Sequence, residues 1–143
     1  MVRKAIPEDI DRIKQIADKN KKYVGFIIRG ALVKAIQRKE VIVIEVENEI
    51  VGFVNYHHRR DDQTTQYDIC IDEKHRGKGI GRLLENAALD EAKQFGKKRY
   101  IIRAPIDLES NIFYERIGFK LKEVEKGRKR PINVWEYTFN EVL

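Results

Sequence analysis

Apolar residues recur along this chain in two periods, and the switches between them mark its elements. Residues 2–5 read as a short first strand. Pro7 suits the first turn of a helix, where a missing N–H costs nothing, and Glu8 and Asp9 follow where the helix dipole favours acids. Ile10, Ile13, Ile16 and Ala17 keep helical spacing to about Lys19. Ile28, Ala31, Leu32, Ala35 and Ile36 form a second helical stripe ending near Lys39. The character then changes. Residues 41–46 are almost all β-branched, 47–49 form a turn, and 50–56 return as the second arm of a hairpin. Residues 63–72 predict a third long strand with Tyr67, Ile69 and Ile71 on one face. Gly77, Gly79 and Gly81 interrupt the pattern. Ile80, Leu83, Leu84, Ala87, Ala88, Ala92 and Phe95 then give a helix that Gly96 stops.

The remaining third alternates more quickly. Residues 100–104 predict a strand ended by Pro105, and 108–116 a short helix ended by Gly118. Residues 119–124 predict a strand, 126–131 a basic turn, and 134–139 a last strand with Trp135, Tyr137 and Phe139 on one face. The order is β-α-α-β-β-β-α-β-α-β-β. It predicts an α/β (α+β) fold with one mixed, twisted sheet of about seven strands and four helices on its two faces. No linker, repeat or low-complexity stretch interrupts it, so residues 1–143 are expected to form a single domain.

Composition narrows the class. Apolar residues make up 42% of the chain, enough for a core. No apolar run approaches the ~18 residues of a membrane span, and the first residues lack the apolar segment of a secretory signal. One cysteine, Cys70, excludes an internal disulfide and a multi-cysteine zinc site. The expectation is a cytoplasmic protein without a membrane partner or a metal. With 29 Lys+Arg against 23 Asp+Glu the net charge is +6, which fits nucleic acid or a small polyanion equally well. A charged fraction of 36% also has a plainer reading, the Lys/Glu/Arg-rich surface common among thermophile proteins.

The most informative stretch is Arg76-Gly77-Lys78-Gly79-Ile80-Gly81, between a predicted strand and a predicted helix. Alternating glycines let backbone approach a ligand closely, and the helix start adds unpaired N–H groups and a positive dipole end. His75, Arg76, Lys78 and Arg82 add charge, so the turn is built for phosphates. It is neither a Walker loop nor the dinucleotide fingerprint, because no Gly-Lys-Ser/Thr follows and no third glycine falls in register.

Arg76-x-x-Gly79-x-Gly81 resembles the Arg/Gln-x-x-Gly-x-Gly/Ala motif of the GNAT superfamily of N-acetyltransferases. The strand Ile69-Cys70-Ile71-Asp72 before it, and Phe113-Tyr114-Glu115-Arg116-Ile117-Gly118-Phe119 some thirty residues on, resemble further segments of that family. The resemblance implies acetyl-CoA as co-substrate, lying between two parallel central strands that splay apart near Ile71 and Ala104. It implies that the backbone of Ile69, Cys70 and Ile71 bonds the pantetheine arm and acetyl carbonyl. The N–H groups of Gly77, Lys78, Gly79, Ile80, Gly81 and Arg82 would hold the pyrophosphate beside Arg76. It implies Tyr114 as the proton donor to the leaving thiolate. Asp107 and Ser110 stand where the family often has Asn and Ala, and Asn111 offers an amide to the cofactor instead. Glu73 stands where the family often has Pro.

The acceptor is then an amine, small or on a protein, and its base is open among Asp68, His57, His58, Glu45 and water. Asp68, beside the splay, heads that set as the catalytic partner of Tyr114. His57, His58, His75 and Cys70 have no metal-ligand spacing. Cys70 reads as a core residue, and Trp135 and Tyr137 fit either the acceptor end or sheet packing. The turn at 126–130 reads as a solvated hairpin, so the charge argues for CoA over nucleic acid. A non-catalytic acyl-CoA-binding or nucleic-acid-associating module on the same fold is the alternative. The acceptor's identity and the oligomeric state, a homodimer included, stay open.

Overall fold

A computed structural model describes residues 1–139. Strands β2 (Val41–Val46), β3 (Glu49–His58) and β4 (Gln63–Ile71) form an antiparallel meander. Its first turn is set by Glu47 and Asn48, whose φ values of 52° and 63° are those of a two-residue hairpin turn that matches the strand twist. β1 (Val2–Lys4) pairs with β2 at one edge. β5 (Arg99–Pro105) runs parallel to β4, and β7 (Ile132–Thr138) and β6 (Lys120–Glu125) complete the sheet. The strand order is β1-β2-β3-β4-β5-β7-β6, a mixed seven-stranded sheet as expected.

Both faces are covered, so the central strands are apolar on both sides rather than alternating with polar residues. Val41, Val43 and Phe53 face α1 (Ile10–Lys19) and α3 (Arg29–Gln37), where Ile13, Ile16 and Leu32 pack. Ile42, Val54 and Tyr56 face the other way, against Leu84 and Ala88 of α4 (Ile80–Gln94) and Tyr114 of α5 (Ser110–Ile117).

Four details differ from the sequence expectation. Among the described residues the α-helices number five, because Lys21–Val24 forms a short α2. Four residues without an apolar stripe give no periodic signal, and Gly25 at φ 67° ends the turn. Ile27, not Ile28, is buried ahead of α3. In α4, Leu83 and Phe95 are 54% and 63% exposed while Glu85 is fully buried, so the helix is rolled from its simplest apolar reading. Tyr67 does not share a face with Ile69 and Ile71. Asn55 pairs with Asp68 and Tyr56 with Gln66, leaving Tyr67 as the extra residue of a β-bulge, 56% exposed.

That bulge positions the site. The parallel ladder between β4 and β5 runs from Gln63–Arg99 to Gln66–Ile102 and stops at the bulged residue. Beyond it β4 pairs only with β3, and β5 only with β7, among the described residues. The two central strands therefore part.

Candidate functional site

The gap between β4 and β5 is a cleft of about 630 Å³. Gln66 and Ile102 lie at its apex, Tyr67 to Ile71 form one wall, and Arg103 to Pro105 the other. Because β4 has lost its parallel partner here, its main-chain polar groups on that side face the cleft instead of a strand. The glycine turn closes one end, and Tyr23 and Val24 of α2 lie alongside.

The three glycines of the turn have different reasons. Gly77 and Gly79 adopt φ of 76° and 80°, conformations open to glycine at little cost, and a Cβ at either would meet nothing within 4 Å. Their requirement is purely backbone. Gly79 is the N-cap of α4 and no side chain caps that helix start, so its first N–H groups remain available to an anion. Gly81 has ordinary φ, and a Cβ there would meet Phe113 Cζ at 3.4 Å, an ordinary packing contact, so neither backbone nor space demands glycine at this position.

The predicted cations divide. His75, Arg76 and Arg82 line the cleft, whereas Lys78 is exposed at the turn and outside the lining. Arg82 donates to the Arg116 carbonyl at 3.3 Å. Arg76 turns toward α1 and α2. It donates to the Ile71 carbonyl at 3.2 Å and to Asn20 Oδ1, and lies 4.8 Å from the Tyr23 ring centroid. Asn20 is buried and itself donates to the Ile16 carbonyl at 2.7 Å. Arg76 therefore ties the first residue of the glycine turn to the wall formed by α2.

Asp68 and Tyr114 both line the cleft. Burial raises the Asp68 carboxyl from 3.8 to about 6, with the Asn55 amide offsetting part of the effect. No ion pair neutralises it among the described residues, so burial governs its titration. Burial also raises the Tyr114 phenol, with the ionised form of Glu85 next in effect and a hydrogen bond with Ser110 opposing both, which keeps the hydroxyl protonated. Behind the apex, the Tyr100 hydroxyl donates to Gln66 Oε1 at 2.5 Å, and Gln66 Nε2 donates to Glu85 Oε1 at 3.2 Å. Burial raises Glu85 to about 8, and its Oε2 has no hydrogen-bond partner among the described residues.

Ile69, Cys70, Ile71, Gly77, Gly79, Ile80 and Gly81 also line the cleft, so the glycine turn and its strand come together as the sequence anticipates. Burial lifts the Cys70 thiol to about 11, which leaves it inert. Asn111 is not among the lining residues. Its Nδ2 donates to the carbonyls of Pro105 and Leu108, both at 2.8 Å, and its Oδ1 accepts from Trp135 Nε1 at 2.8 Å and Asn133 Nδ2 at 3.1 Å. The amide is thus occupied in pinning α5 to β5 and β7, and Trp135 packs the sheet. Among the other candidate bases, His57 bonds Glu40 at 2.8 Å, His58 bonds Thr64 at 2.8 Å and stacks on Phe95, and Glu45 pairs with Arg3. None of the three lines the cleft. Gln66 and Glu85 were not singled out from sequence. The one trace of Glu85 is its place four residues after Gly81 and four before Leu89, on the face α4 buries.

Comparison with known proteins agrees with this geometry. Ard1 from Thermoplasma volcanium superposes with a TM-score of 0.86 at 18% identity, over 99% of this chain and 98% of that one. The structure of yncA from Salmonella typhimurium with its cofactor acetyl-CoA superposes at 0.82 and 18% identity, over 100% and 95%. In sequence, an uncharacterized N-acetyltransferase of Methanocaldococcus jannaschii is 34% identical over 97 residues, 63% of this chain. That stretch is 43% of the relative, so the match spans less than half of its length. Residues 37–121, from the end of α3 into β6, match the acetyltransferase (GNAT) domain family. They contain the splayed strand, the glycine turn and Tyr114, and with them the chain belongs to the GNAT acetyltransferase family.

Proposed function

We propose that this chain transfers the acetyl group of acetyl-CoA to a primary amine by direct attack within a ternary complex, acting as a single domain over residues 1–143. The observation that carries the reading is the end of the β4–β5 ladder at Gln66–Ile102, beside an uncapped helix start preceded by two left-handed glycines. An unpaired strand edge suits an extended amide-bearing arm, and the helix start suits the pyrophosphate at its end. The similarity to a structure holding acetyl-CoA supports the same ligand class here.

Acetyl-CoA supplies an activated thioester carbonyl. In this reading the backbone of Ile69, Cys70 and Ile71 holds the arm and steadies the negative charge that develops on the carbonyl oxygen. The N–H groups from Gly77 to Arg82, Lys78 and Ile80 among them, hold the pyrophosphate. Arg76 serves the turn by fixing its first residue. Asp68 accepts the proton of the incoming amine, directly or through one water, as its nitrogen bonds to the acetyl carbon. Tyr114 gives a hydrogen bond or proton to the sulfur as the carbon–sulfur bond breaks. The products are the N-acetyl amine and CoA thiol. Asn111 acts on the cofactor only through the position of α5.

Titration calorimetry with acetyl-CoA, followed by CoA-thiol release across a panel of amines, tests the proposal. Binding with turnover on at least one amine class is expected. Absence of both would overturn it, and binding without turnover would leave an acyl-CoA-binding module.

A further inference from the structure

We propose that β6 is the two-fold contact of a homodimer, in which two copies join their sheets through antiparallel β6 strands. β6 is an edge strand, paired on one side only with β7 among the described residues. All of its residues from Lys120 to Val124 are exposed. An edge of this length leaves a row of unpaired main-chain groups and needs a reason to stay open.

The bulge in β6 sorts its side chains. Leu121 pairs with Trp135 and Val124 with Asn133, so Lys122 is the extra residue. Trp135 and Asn133 both donate to Asn111 of α5, which places Leu121 and Val124 on the α5 face. They are 50% and 52% exposed there, beside a helix whose Ile112 is 56% exposed. Lys120, Glu123 and Glu125 pair with Glu136, Val134 and Ile132, which puts them on the opposite face. Lys122 reaches that face too, with its Nζ 3.8 Å from Glu136. Without the extra residue Leu121 and Val124 would lie on opposite faces.

The occupant follows from the order of charges. Lys120-Leu121-Lys122-Glu123-Val124-Glu125 is self-complementary when read against its own reverse. Antiparallel pairing of two copies sets Lys120 opposite Glu125, Leu121 opposite Val124 and Lys122 opposite Glu123, each twice by symmetry. Every pair lies on a shared face because of the bulge. A slip of one residue in either direction sets Lys122 against Lys122 or Glu123 against Glu123. The strand therefore accepts a second copy in one register and rejects its neighbours. Glu125 already pairs with Arg103 at 2.7 Å, whereas Lys120 and Glu123 have no ion pair among the described residues. Neither Lys122 nor Glu123 lines the cleft, so the contact is independent of the proposed chemistry.

Sedimentation velocity of the full chain across a concentration series tests this, using Lys122→Glu, Glu123→Lys and the double exchange. The unaltered chain is expected to be a dimer. Each single reversal should weaken it by roughly tenfold or more, because each creates two like-charge pairs. The double exchange should restore it, which also shows that neither change prevents folding. A monomeric unaltered chain, a dimer indifferent to both reversals, or a double exchange no better than the singles would each overturn the proposal.

Discussion

Replacing Asp68 by asparagine should make the protein more stable and less active, with both effects depending on pH. The carboxyl sits behind the Tyr67 bulge with Asn55 as its cross-strand neighbour and no cation among the described residues to offset its burial. The unfolded chain gives up this proton near 3.8, and the folded protein keeps it to about 6. Between those values the folded state binds more protons, so stability falls as pH rises and the loss is complete above about 6. That gap corresponds to about 3 kcal/mol, and partial access of water from the cleft reduces it to about 1–2 kcal/mol. Asparagine has the same shape without the charge. Asp68→Asn should therefore melt about 3–8 °C higher than the unaltered protein at about pH 8, with the difference vanishing below about pH 4. Its kcat/KM should fall by about 10²–10⁴, and the acidic limb near pH 6 of the rate profile should disappear. Scanning calorimetry at both pH values and a thiol-release assay read these outcomes. A variant less stable at about pH 8, or equally shifted at both pH values, would refute the claim that burial sets this carboxyl.

Tyr114→Phe should lower kcat by about tenfold or more while acetyl-CoA affinity in calorimetry stays within about twofold, because the ring packing against Phe119 and Trp135 is retained. Gly79→Ala meets no neighbour within 4 Å but forces a left-handed residue to carry a Cβ. The resulting strain of roughly 1–2 kcal/mol should appear as weaker acetyl-CoA binding, by about five- to thirtyfold, or as an equivalent loss of stability in denaturant titration. Glu85→Gln removes a buried carboxyl that titrates near 8 instead of 4.5. Stability of the unaltered protein falls as pH rises between those values, so the variant should gain most in thermal melts at about pH 9 and little at about pH 4.

The sequence already contained the fold because the strong signals are local. β-branched runs gave β2 and β3, and glycines at 79, 96 and 118 stand at helix boundaries. The glycine turn was legible for the same reason: Gly77 and Gly79 are needed for their own backbone angles. What escaped depends on partners distant in the chain. The bulge at Tyr67 exists only in register against β3, and no inspection of β4 alone finds it. Glu85 lies between apolar residues on α4, and its burial is decided by Gln66 on another element. Arg76 had the charge for a phosphate, yet its direction is fixed by Asn20 and Tyr23, more than fifty residues earlier. Asn111 shows the same limit, since only the assembled sheet reveals that its amide is already occupied.

The Tyr67 bulge also has a genetic meaning. The cleft depends on one residue more in β4 than the β3 partner requires. Deleting the Tyr67 codon would set Gln66 directly before Asp68 in an unbroken β3–β4 ladder, on alternate faces as their partners Tyr56 and Asn55 already place them, and is expected to let β4 continue alongside β5. One codon of β4 therefore carries the irregularity at which the parallel ladder ends and the two central strands part.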